Sequence, residues 1–377
     1  MKAPSAAPAI RRRMLVICPF PIGVAAGQRL KYEQYFDRWR ANGYDIDVSS
    51  FMDEAMWAVV YEKGRYAQKV AGTLRGHMRR LRDILRIARY DVVYVFMWVT
   101  PFGTSLFERL TRRLAKRLVL DVEDNVLLGQ SLPKEHNPNP IVRWLKGPGK
   151  IRHLIAKADH VITSSPFLND FCLGINENRA ATYISSSIDT DRFAPSGPKP
   201  ADRPITIGWT GTFSSMPFLA LLDDVFLKLA ARRTFRLRVI GNFDYALPGV
   251  DLEIVRWTKE KEVEDLQELD IGVYPLPIND WVLGKSGLKA IQYMAFGLPC
   301  VATEVGTTPL LITHDQNGLL VRTDEEWLAA LERLIDDAAL RARLGGAARA
   351  AAVAHYSLQA VGDDYDRVLS SVFKDKR

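Results

Sequence analysis

The sequence predicts an α/β protein of two Rossmann-like domains facing each other across a cleft. Three observations predict it. Short β-branched and aromatic runs alternate with helix-length segments through the first half of the chain. The same rhythm restarts after a Pro/Gly/Ser cluster at 194–200. The length, 377 residues with 47% hydrophobic, suits two cores at roughly 100–200 residues per domain.

The strands of the first half are expected at 14–18, 46–49, 92–96, 118–122 and 161–163. Residues 92–96 form an almost unbroken apolar run, as in a parallel strand buried on both faces. A helix is expected at 29–42, closed by Gly43. In the second half, strands are expected at 205–209, 237–240, 271–274 and 300–303. Helices are expected at 218–231, 263–269, 288–296, 325–336 and 340–355. The alternation is that of a doubly wound sheet. The domains are read as 1–198 and 199–358, with a final helix at 359–377 returning to the first. Ligands of such sheets bind beyond the carboxyl ends of the strands.

Composition narrows the setting. No apolar run approaches the roughly 20 residues that span a bilayer. Arg11, Arg12 and Arg13 precede an apolar stretch too short for a signal-peptide core, which reads as a first strand. Cys18, Cys172 and Cys300 are odd in number and far apart, so a reducing, cytoplasmic setting is expected. No Cys/His pair has zinc spacing, and no metal is expected. Residues 1–200 carry 31 Lys/Arg against 19 Asp/Glu (+12), and 201–377 carry 20 against 25 (−5). The basic half favours an anionic partner: a lipid headgroup, a phosphate-bearing acceptor or nucleic acid.

Residues 65–90 hold one source of that charge. Arg75, Arg79, Arg82, Arg86 and Arg89 recur at helical spacing, beside an apolar stripe of Leu74, Met78, Leu81, Leu85 and Ala88. Two readings stand. The helix attaches peripherally to an anionic membrane, at the inner face of the cytoplasmic membrane, or its apolar side lies in the core with the arginines in water.

Gly284, Lys285, Ser286, Gly287 and Lys289 surround a predicted helix start. Glycines admit close backbone approach, and a helix N-terminus offers N–H groups and a favourable dipole to an anion. Lys285 and Lys289, four apart, can reach one side of it; otherwise they are solvated surface residues. Asp121, Glu123, Asp124 and Asn125 follow a strand directly. They suit hydroxyl recognition or general-base work, or a helix N-cap. Gly23 and Gly27 open a loop after the first strand, and Arg29 meets an anionic group there or makes a surface ion pair. Asp189-Thr-Asp191 reads as a turn rather than a metal site. Trp209, Trp257, Trp281 and Tyr274 are candidates for stacking on a base or sugar, or for the core.

The stretch 284–303, GKSGLKAIQYMAFGLPCVAT, resembles the signature of the family 4 (group 1) glycosyltransferases, which have the GT-B fold. Weaker matches follow the family order: 184–193, 207–212, 239–241, 304–307 and the loop 19–29. The resemblance implies a retaining, metal-independent hexosyltransferase without a cofactor. It would move a sugar from a nucleotide diphosphate to a hydroxyl of a cell-surface glycan or lipid-linked acceptor. No nucleic-acid partner is implied. Gly211, Thr212, Gly241, Gly284, Ser286, Gly287, Gln292, Gly306 and Thr307 would line the donor. Gly23, Gly27, Arg29 and Glu123 would face the acceptor, and Asp124, Lys285 and Lys289 would serve catalysis. The family's two glutamates, eight positions apart, are replaced here by Gly284 and Gln292; the amide can still bond ribose hydroxyls. An epimerase of the same fold and a non-catalytic basic binding protein are the alternative readings.

Overall fold

The computed structural model describes residues 11–123, 149–197, 199–200 and 202–374. The chain divides into two compact units, Met1–Ile184 with Gly362–Arg377, and Ser185–Val361. The division falls ahead of the 194–200 cluster rather than within it.

The first unit holds strands β1 (Arg12–Cys18), β2 (Tyr44–Ser50), β3 (Val92–Phe96), β4 (Leu118–Val122), β5 (His160–Thr163) and β6 (Ala181–Tyr183). They form one parallel sheet in the order β2-β1-β3-β4-β5-β6. Every residue of β3 and β4 is buried, because helices cover both faces. The second unit holds β7 (Ile205–Thr210), β8 (Phe235–Ile240), β9 (Leu252–Val255), β10 (Ile271–Tyr274), β11 (Cys300–Thr303) and β12 (Leu319–Val321). Its parallel order is β12-β11-β10-β7-β8-β9. Trp209, Val239, Val273 and Val301 project from these strands into a core closed by Phe226, Leu331 and Leu344.

The helix expected at 29–42 is broken into a turn at Ala26–Arg29, a tight turn at Glu33–Tyr35 and a helix at Phe36–Ala41. The break lets Tyr32 and Tyr35 both turn inward, each almost fully buried. Residues 362–374 run along this part of the first unit. Tyr365 stacks on Tyr35 with centroids 4.8 Å apart, and Asp366 accepts from Arg38 Nε at 2.8 Å.

The Tyr66–Arg86 helix is the unusual element. Its inward face is Gly72, Gly76, Arg80 and Asp83. A Cβ at Gly76 would stand 2.6 Å from the buried Phe51 ring, and one at Gly72 2.7 Å from Met56, so the two glycines let those side chains lie against the helix. Arg80 is fully buried. Its guanidinium donates to Val99 O at 2.7 Å, Cys18 O at 2.8 Å, Ser49 O at 3.1 Å, Ser49 Oγ at 3.0 Å and Asp83 Oδ2 at 3.0 Å. The helix is thereby tied to the carboxyl ends of β1 and β2 and to the chain beyond β3. Asp53 adds a surface clamp: it accepts from Met56 N at 2.8 Å, capping the Glu54–Val60 helix, and pairs with Arg75 at 2.7 Å. The apolar stripe consequently points to solvent. This overturns the reading that placed it in the core: Leu74, Met78 and Leu85 are 62%, 71% and 79% exposed. Among the described residues no helix is long and apolar enough to cross a membrane.

Replacing Arg80 by Met removes the donor to three buried carbonyls and one of the two arginine partners of the buried Asp83, and should cost about 3–5 kcal/mol in urea unfolding. Arg80→Met/Asp83→Leu, which removes both charges, should recover part of that loss. The Arg75 guanidinium holds the Asp53 carboxyl down at about 2, against an ordinary 3.8. A depressed carboxylate stabilises the fold above its unfolded value and loses that contribution as pH falls through its folded one. Asp53→Asn should therefore cost about 1 kcal/mol near neutrality, with Arg75 half in solvent. The gap between variant and parent should close as pH falls from 3.8 through about 2, read by urea midpoints along the series.

Candidate active site

In the second unit the strand order reverses between β10 and β7. Chains leaving these two strands diverge to opposite sides and leave a crevice at the carboxyl edge, the usual ligand position of an open α/β sheet. The loop after β7 carries Gly211 and Thr212. Gly211 N donates to Ile240 O at 3.0 Å, which lays this loop against the end of β8 and Gly241. A Cβ at Gly241 would stand 2.5 Å from Gly211 O and collide with Phe243, and one at Gly211 would meet Ser215 Oγ at 2.6 Å. Both glycines are required by this close approach.

The chain after β10 forms a tight turn, Asp280–Gly284, then Lys285, Ser286 and Gly287, then the Leu288–Ala295 helix. Gly287 sits at the helix start with φ 75°, a left-handed conformation that favours glycine. The first-turn N–H groups of a helix have no partner within it. Lys289 extends from that first turn across to the β7 side. Its Nζ lies 4.3 Å from the centroid of the buried Trp209 ring and donates to Ser215 Oγ at 3.3 Å. Lys285 Nζ lies 6.0 Å from the Trp281 ring. The loop after β11 joins them: Thr307 Oγ1 donates to Lys285 O at 2.8 Å, and Gly306 turns with φ 61°. Ser286 and Gln292 are buried, Gln292 one turn beyond Lys289. Two ammonium groups, a helix N-terminus and glycines that bare the backbone make a receptor for an oxyanion such as a diphosphate.

In the first unit, Gly23 and Gly27 lie in the loop after β1. Gly23 N donates to Glu33 Oε2 at 2.8 Å, and Gln28 bridges Phe20 and Glu33. Glu123 comes up to Gly27, where a Cβ would stand 3.0 Å from Glu123 Oε2. Arg29 is nearly buried in the same region. Asp121 is not a ligand-facing acid. It is wholly buried, pairs with Lys31 Nζ at 2.6 Å and accepts from the Tyr94 hydroxyl. Asp124 and Asn125 lie outside the described residues. Asp189 Oδ1 accepts from Asp191 N and Arg192 N, both at 3.1 Å, in a turn. Among the described residues no group of three His, Cys, Asp or Glu is placed to hold a metal ion.

Residues 204–337 match the family model described as "Glycosyl transferases group 1". The second unit carries a group 1 glycosyl transferase domain. Sixty-four residues of the chain are 41% identical to D-inositol 3-phosphate glycosyltransferase from Corynebacterium aurimucosum, and 44% identical to that from Pseudarthrobacter chlorophenolicus. That stretch is 16% of this chain, and the chain spans 15% of the length of these curated relatives. Sucrose-phosphate synthase from Thermosynechococcus elongatus superimposes with TM-score 0.70 at 15% identity, over 96% of this chain and 99% of that one. Anabaena HepE, solved in complex with UDP and glucose, does so with TM-score 0.65 at 14% identity, over 96% and 100%. The fold is GT-B, two parallel six-stranded units.

Within the group 1 domain, Gly211, Thr212, Gly241, Lys285, Ser286, Gly287, Lys289, Gly306 and Thr307 gather at the carboxyl edge of the sheet. Ser215 belongs with them, and so does Trp209 as the surface beneath Lys289. Ser215 carried no signal in the sequence beyond its place in the loop after a strand and a glycine. Trp209 was open to either a stacking or a core role, and is core. Gly241→Ala should destabilise the domain by about 1–3 kcal/mol, because the methyl meets the Gly211 carbonyl as well as the Phe243 ring. Gly174→Ala, with no atom near its Cβ position, is the control in the same melting experiment.

Proposed function

We propose that the chain is a retaining glycosyltransferase moving a hexose-type sugar from a nucleotide diphosphate to a hydroxyl of a cell-surface glycan or lipid-linked acceptor. The observation that carries this is Lys289, held across the β7/β10 crevice by Trp209 and Ser215 beside a helix start. The likeness to HepE, solved with UDP and glucose, supports a nucleotide sugar as the ligand class. The group 1 match over 204–337 supports transfer as the reaction.

In this reading the diphosphate lies at the Leu288–Ala295 helix start. The bond between the sugar's anomeric carbon and the diphosphate oxygen breaks. The acceptor oxygen bonds that carbon on the same face, and its proton passes to the departing phosphate oxygen. Lys285, Lys289 and the first-turn N–H groups stabilise the negative charge that builds on the leaving group. No side chain has to act as a strong base, and no metal ion is required. Gln292 contacts the ribose, and Gly284 leaves the sugar's recognition to other groups.

A thermal-shift panel of UDP, GDP, ADP, CMP and their sugar conjugates tests the donor. A nucleotide at 100 times its Kd should add about 2.7 kcal/mol. Stabilisation by one base is the expected result, unchanged by EDTA. No response from a folded sample refutes the proposal. With a donor in hand, Lys289→Ala should lower kcat/KM about a hundredfold while the unfolding midpoint stays near that of the parent. Undiminished turnover would remove Lys289 from the site.

A further inference from the structure

The Tyr66–Arg86 helix presents to solvent what a helix of a globular domain ordinarily buries. Tyr66, Val70, Leu74, Met78, Leu81 and Leu85 are all exposed and recur every three or four residues, forming one apolar stripe along its length. Isolated apolar side chains on a surface need no explanation, but a continuous stripe marks an interaction face. The opposite side of the helix cannot exchange with it, being filled by Phe51, Met56 and the Arg80 network.

Charge decides the kind of partner. Residues 61–90 hold nine Lys/Arg against two Asp/Glu. Arg82 and Arg89 border the stripe, are exposed, and make no ion pair with any described residue. At the end of the helix a cavity of about 310 Å³ is lined by Arg13, Arg82, Arg86 and Arg89, with Asp47 the one acidic residue in its wall; Arg13 pairs with Asp47 at 3.6 Å and Arg86 with the buried Asp83 at 3.0 Å. Leu85 lines the same cavity, so the apolar stripe runs directly into this arginine cluster, where Arg82 and Arg89 are left for an anion. We infer that this face docks on an anionic phospholipid bilayer, with acyl chains against the stripe and headgroup phosphates at the arginine cavity. A helix of this composition lies in the interfacial plane with its apolar side in the acyl boundary and its basic side among the headgroups. A second copy laid symmetrically on the same face would bring two arginine rows together. A polyphosphate chain would use the arginines and leave the stripe in water.

The test is flotation of the full chain with vesicles of phosphatidylcholine alone and of phosphatidylcholine mixed with phosphatidylglycerol. The chain should float with the anionic vesicles and not with the neutral ones, and added salt should release it. Arg82→Gln/Arg89→Gln should weaken partitioning about thirtyfold, and Leu74→Gln/Met78→Gln/Leu85→Gln should abolish it. All five side chains are exposed, so both variants should keep the parent's urea midpoint and its response to nucleotide, which separates this inference from the transferase proposal. Three results would overturn it: no flotation of the parent chain, equal flotation of the apolar variant, or conversion of a dimeric parent to a monomer by the apolar substitutions. Salt-sensitive binding to a nucleic-acid duplex that the apolar variant retains, without vesicle binding, would overturn it as well.

Discussion

The first unit depends on how a single buried guanidinium is satisfied. An arginine without water must place its donors on fixed acceptors, or the fold bears the full desolvation cost. Arg80 meets three backbone carbonyls, a serine hydroxyl and a carboxylate. Those carbonyls belong to Cys18, Ser49 and Val99, at the ends of β1 and β2 and beyond β3, so their positions follow from the sheet. The rotation of the Tyr66–Arg86 helix about its axis follows from them in turn. Gly72 and Gly76 complete the constraint by letting Phe51 and Met56 come close. Which side of that helix faces water is therefore decided by hydrogen bonding rather than by hydrophobicity.

The second unit is organised by close backbone approach. Gly211 and Gly241 bring the ends of β7 and β8 together, Gly287 opens the helix after β10, and Gly306 turns the chain after β11 toward it. Four glycines at four strand ends leave little side-chain bulk at the carboxyl edge. The groups that remain are N–H donors, the two lysines and the hydroxyls of Thr212, Ser215, Ser286 and Thr307. The buried ring of Trp209 lies beneath this edge and orients Lys289 through cation–π attraction. The crevice thus owes its shape as much to side chains that are missing as to those present.

Much of this was legible beforehand, and the gaps share a physical cause. The inner strands β1, β3, β4, β5, β7, β10 and β11 announce themselves as apolar runs because helices cover both their faces, while β8, where Arg236 and Arg238 alternate with buried residues, shows only its last residues. The strands that escaped notice, β6, β9 and β12, all lie at sheet edges. β6 and β9 are only half-buried, so they lack the continuous apolar signal. The residues that gather at the carboxyl edge of the second sheet were legible because glycines and lysines around a helix start form a local pattern. Asp121 misled because adjacency to Glu123 says nothing about burial, and its partner Lys31 is ninety positions earlier. Arg80 escaped because it stands one position off the arginine row, and that offset of about 100° on a helix separates the buried face from the exposed one.

The orientation of the Tyr66–Arg86 helix carries a cost that bears on its meaning. Turning it over would bury Leu74, Met78, Leu81 and Leu85, each worth roughly 1.5–3 kcal/mol on transfer from water. Four such side chains amount to about 6–12 kcal/mol, comparable with the whole stability of an ordinary domain. A chain under pressure for stability alone has easy routes to that gain: an apolar residue in place of Arg80, and larger residues in place of Gly72 and Gly76. This chain instead keeps a buried arginine, a buried aspartate and two helix glycines, a combination that forgoes both propensity and burial. Each of these departures favours the same outcome, an apolar stripe held outward beside unpaired arginines. The stripe is thus held outward at the expense of burial, and the arginines at its end favour negative charge beside it.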